Sequence, residues 1–76
     1  MKYICVYCFR VDNDIKDFGV LPTLFDNHDA AVNTAIESLK STAQIGDYEV
    51  NEEDLKAFKN VAGVHYSIEY AIDTIY

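Results

Sequence analysis

The segment Lys2–Val11 is rich in β-forming residues and apolar on both of its faces. Read as a strand, it places Tyr3, Cys5, Tyr7, Phe9 and Val11 on one side and Ile4, Val6 and Cys8 on the other. A strand of this kind belongs in the middle of a sheet, with something covering each face. The chain has only 76 residues in which to supply that cover. The expectation is one domain over residues 1–76, with a core that supports roughly 3–5 kcal/mol.

The remaining segments are shorter and better punctuated. Residues 12–17 form a polar turn, and residues 18–25 resume β character as a hairpin partner, marked as an edge strand by Pro22. A helix then starts with Asp26 as N-cap, Asp29 three residues later, and Phe25 stapling onto Ala30. Val32, Ala35, Ile36, Leu39 and Ala43 recur at helical spacing, and Gly46 supplies a left-handed stop. A second helix is expected after Asn51, with Glu52, Glu53 and Asp54 in its first turn. Leu55, Phe58 and Ala62 form its apolar stripe, and Gly63 ends it. The last segment alternates Val64, Tyr66, Ile68, Tyr70 and Ile72 with His65, Ser67, Glu69 and Asp73, as a half-buried strand does. This predicts an α+β fold in the order β-β-α-α-β, a three-stranded, mostly antiparallel sheet with two helices on one face. The first strand is its centre. The other sheet face stays uncovered and apolar whichever way that strand is turned, which implies a partner or a dimer.

Thirteen acidic residues against six basic ones give a net charge of −7. That surface repels phosphate and anionic lipid, so direct binding to nucleic acid or membrane is not expected. A basic partner is attracted and its association accelerated. The apolar run 3–9 is closed by Arg10 and Asp12 with no small-residue cleavage site after it. It therefore reads neither as a signal peptide nor as the ~20 residues of a membrane span. Two cysteines without a secretion signal read as reduced thiols, and the expected location is cytoplasmic.

No catalytic constellation emerges. Cys5 and Cys8 match C-x-x-C, but within a strand their odd spacing sends the two sulfurs to opposite faces. His28 lies in the first turn of a helix beside Asp26 and Asp29. His65 and Glu69 share a strand face but sit roughly 13 Å apart. No G-x-S-x-G, P-loop or H-E-x-x-H pattern occurs. The chain is expected to be no enzyme and to hold no metal or cofactor.

The acids remain. Residues 47–54 contain Asp47, Glu49, Glu52, Glu53 and Asp54 and no base, and Asp12, Asp14 and Asp17 form a second cluster. Capping and dipole compensation explain Glu52, Glu53 and Asp54, and turns are commonly acidic. Six tyrosines add a residue type favoured at half-buried contacts, and Tyr48 lies between two of the acids. The partner-binding candidates are therefore Asp47, Tyr48, Glu49, Glu52, Glu53, Asp12, Asp14 and Asp17. The function expected is that of a small acidic inhibitor, bound to a basic, nucleic-acid-binding surface of a larger protein. In size and charge alone the chain is similar to bacteriophage anti-defence proteins, anti-CRISPR proteins and DNA mimics among them. The alternative is a structural homodimer paired through the uncovered sheet face, without an inhibitory role.

Overall fold

The computed structural model describes residues 1–75. It contains the strands β1 (Lys2–Val11), β2 (Asp14–Val20), β3 (Glu49–Asn51), β4 (Lys56–Val61) and β5 (Val64–Ile75), and one helix, α1 (His28–Gly46). The strands form one antiparallel sheet in the order β2-β1-β5-β4-β3. The expectation of three strands and two helices is thus corrected: the fold is α+β with five strands and a single helix. β1 does lie inside the sheet, between β2 and β5.

The second helix is replaced by the β3–β4 hairpin, and its expected cap explains the misreading. Asn51 Oδ1 accepts the Asp54 N–H at 3.2 Å, the same side-chain bond that an N-cap makes. Here it closes a four-residue turn that ends in Leu55 at φ 50°. Gly63, expected as a helix stop, forms a two-residue turn with Ala62 at φ values of 81° and 51°. Two successive positive φ values characterise a tight hairpin, and here they join β4 to β5 through the Val61–Val64 pair. Pairing also accounts for the outcome energetically. Left at an edge, the twelve residues of β5 would expose a long row of unpaired backbone groups. β4 covers that row from Val64 to Glu69, and beyond it the edge is the three-residue, acid-flanked β3.

Other boundaries shift by shorter distances. The first turn is only Asp12-Asn13, both at positive φ, so β2 starts at Asp14 and ends before Pro22. Lys16 is skipped in the β1–β2 register, a bulge that interrupts this edge. The helix cap is Asn27, not Asp26, and its Oδ1 accepts the Ala30 N–H at 2.8 Å. Asp26 instead pairs with Lys2. Asp47, not Gly46, takes the left-handed position at the helix end, with φ 62°. Gly46 is required for a different reason: a Cβ there would lie 2.6 Å from the Tyr48 ring.

α1 packs on β1, β5, β4 and β3 and leaves β2 without a helical neighbour. The odd-numbered side of β1 faces the helix. Cys5 is fully buried against Ala31 and Ala35, and Tyr3, Leu21, Phe25, Leu55, Tyr70 and Ile72 close the cluster. Small side chains at 31 and 35 let the helix approach closely enough for the Cys5 thiol to donate to the Ala31 carbonyl at 3.2 Å. Leu39 is the largest fully buried side chain. Tyr7 takes over where the helix stops: its ring lies over Gly19, where a Cβ would come within 2.8 Å of the hydroxyl.

Candidate partner-binding surface

The sheet order separates the two acidic clusters. Asp12, Asp14 and Asp17 belong to the β1–β2 hairpin at one edge, whereas Asp47, Glu49, Glu52 and Glu53 surround β3 at the other. Four strand spacings of about 4.8 Å put the edges roughly 19 Å apart, facing in opposite directions. A flat partner surface therefore meets one cluster or the other. In the first cluster Asp12 is engaged within the fold, since its Oδ1 accepts the His65 N–H at 2.9 Å. Asp17 accepts the Phe18 N–H at 3.0 Å.

The β3 edge is the more open of the two. Asp47, Glu49 and Glu53 are exposed and, among the described residues, have no ion-pair partner within 4.0 Å. Glu52 has only the exposed Lys40 at 3.8 Å, an ion pair of the kind that contributes little. The nearby Lys59 does not neutralise the group, because it is drawn to the helix side. Its ammonium donates to the Gly46 carbonyl at 2.7 Å and lies 4.6 Å from the Tyr48 ring centroid and 5.6 Å from that of Tyr66. A cation at that point complements the negative end of α1, which has no basic residue in its own last turn.

Tyr48 therefore has a place in the fold. It is half-buried beneath Lys59 and beside Gly46, and burial, with Tyr66 nearby, pushes its phenol up from the ordinary tyrosine value. The aromatic side chain beside the acids is instead Phe58, which pairs with Glu49 across the β3–β4 ladder. It stacks on His65 at 6.3 Å between ring centroids. Two shallow depressions flank this pair. One is lined by Glu49, Val50, Asn51, Glu52, Glu53 and Phe58, the other by Asp47, Glu49, Phe58, Lys59 and Asn60. Phe58 escapes a sequence reading that places it on the inward stripe of a helix. Its signal is the alternation of Lys56, Phe58 and Asn60 along a strand.

The cysteines lie on opposite faces of β1. Cys5 is buried beneath α1 and Cys8 is half-exposed on the uncovered side, both as free thiols. Burial pushes the Cys5 thiol up, so it stays protonated at neutral pH. A short iodoacetamide pulse on native protein, diluted until it is a single chain, should modify Cys8 alone, with Cys5 reacting only after denaturation; peptide mass mapping reads the two sites. Equal labelling would place Cys5 outside the core. Among the described residues no group of three or more His, Cys, Asp or Glu side chains is arranged to hold a metal ion. Nor is any helix among them long and apolar enough to cross a membrane.

Comparison with protein-family models found no match, and neither the curated proteins nor the solved structures gave one.

Proposed function

We propose that this chain is a non-enzymatic interaction protein that binds a basic, nucleic-acid-binding surface of a larger cytoplasmic protein through its β3 edge, as an inhibitor of the anti-defence or DNA-mimic kind. The observation that carries this reading is the clustering of Asp47, Glu49 and Glu53, exposed and without ion-pair partners among the described residues, around the shortest strand. Phe58 beside them adds an apolar contact between the acids. The opposite edge suits this role less well. Its acids are interrupted by Lys16 and by the exposed Ile15 and Phe18, and Asp12 is committed to His65.

Nuclease-treated lysate passed over the immobilised protein tests the reading. Wild type should retain a nucleic-acid-binding protein that the Glu49→Lys/Glu53→Lys variant releases, and added DNA should compete with the retained protein. Equal retention by the two forms would remove the β3 edge from the account.

A further inference from the structure

The polarity of β2 is inverted relative to the helix. Through its register with β1, Ile15 pairs with Arg10, Phe18 with Cys8 and Val20 with Val6, so these three share the face that carries no helix. Asp14 and Asp17 pair with Val11 and Phe9 and lie on the helix side. Ile15, Phe18 and Val20 are 57%, 76% and 53% exposed. Across β1 and β5 the same face continues through Ile4, Val6, Cys8 and Ala71. A strand that turns its apolar row away from its own helix is patterned for cover from outside the chain.

We infer that a second copy of this chain supplies that cover, with the two uncovered sheet faces packed against each other about a two-fold axis. Charge argues for a copy even though each chain carries −7. On this face the strands present Lys2, Arg10 and Lys56 against Glu49, Glu69 and Asp73, and β2 pairs no charged residue with β1 there. Arg10 and Lys56 already meet Glu69 at 3.1 Å and 4.0 Å. The face is therefore locally balanced, and the excess acids sit at the hairpin tips, beyond β3 and on the helix side. A strongly basic partner would find little here to attract it, whereas an identical apolar row meets itself across a two-fold axis without like-charge contact. Area agrees. The two longest extents of the molecule, 43 Å and 21 Å, bound a face of roughly 900 Å², against about 800 Å² per partner in a standard interface. Packed sheets about 10 Å apart would enclose the row as a sandwich core.

Salt separates this contact from the one proposed for the β3 edge. Screening weakens repulsion between two −7 chains, so the dimer should tighten several-fold as salt rises, whereas a basic partner should be lost. Sedimentation equilibrium on the full chain at about 10–100 µM, a range that populates a micromolar dimer, reads the result. The expected mass is twice the 8.6 kDa of one chain, with a larger dimer fraction at high salt. Phe18→Asp should weaken association by about 100-fold or more, with unchanged circular dichroism because Phe18 is exposed in the single chain. Val20→Lys is the second variant and should act in the same direction. A wild type of single-chain mass throughout, a dimer that dissociates as salt is raised, or one that survives both substitutions would each overturn the inference.

Discussion

Leu39→Ala should remove most of the protein's folding stability at 25 °C. Leu39 is the largest of the fully buried side chains, and the other fully buried apolar residues are Cys5 and three alanines, Ala31, Ala35 and Ala57. Leu39 therefore fills space that no neighbour can reclaim. Truncating a buried leucine costs about 2–5 kcal/mol, since the cavity adds to the lost transfer energy. A domain of this size holds roughly 3–5 kcal/mol in all. Urea titration followed by circular dichroism measures the loss. Ile45→Ala, on the same helix but 88% exposed, is the control and should change little. A loss at Leu39 no larger than at Ile45 would mean that α1 does not rest on the sheet as described.

The parts of this fold legible from sequence are those where hydrophobic period and local chemistry agree. β1 is a ten-residue run of β-forming residues, β5 alternates apolar and polar residues from Val64 to Asp73, and the nineteen-residue α1 carries a helical stripe. Residues 49–63 are ambiguous because two structures use the same local devices. A side-chain oxygen bonding three residues on serves a helix cap or a hairpin turn, and a positive-φ glycine ends a helix or forms a tight turn. Leu55, Phe58 and Ala62 fit a helical stripe, while Ala57 against Lys56 and Phe58 fits a strand. The decision lies with β5, whose edge is satisfied only when residues 56–61 fold back on it across the Ala62-Gly63 turn, a pairing that the periodicity of a single segment does not show. Pairing between strands hides the site as well. The acids are plain as a composition, but only the strand order shows that they form two edges and that Phe58 stands beside one of them.

The single-helix fold decides which acids are clean probes. Without a second helix, Glu52 and Glu53 carry no dipole role, and Glu53 makes no ion pair among the described residues. Asp47 becomes the poorer probe, because its φ of 62° tolerates Asp or Asn better than Lys. Glu49→Lys with Glu53→Lys shifts the net charge of −7 toward −3, since each reversal adds two. Both sites are exposed, so stability should change by no more than about 0.5 kcal/mol. Association with a basic partner should slow by about 10–100-fold at low salt, because steering acts on the encounter.

The association rate of the retained partner, measured on immobilised wild type and on the Glu49→Lys/Glu53→Lys variant over a salt series, tests the proposed role of the β3 edge most directly. Charges beyond about 8 Å are screened at physiological salt, so the wild-type rate should fall steeply as salt rises. The variant should start slower and fall less. Parallel curves, equal in rate and in slope, would contradict the account.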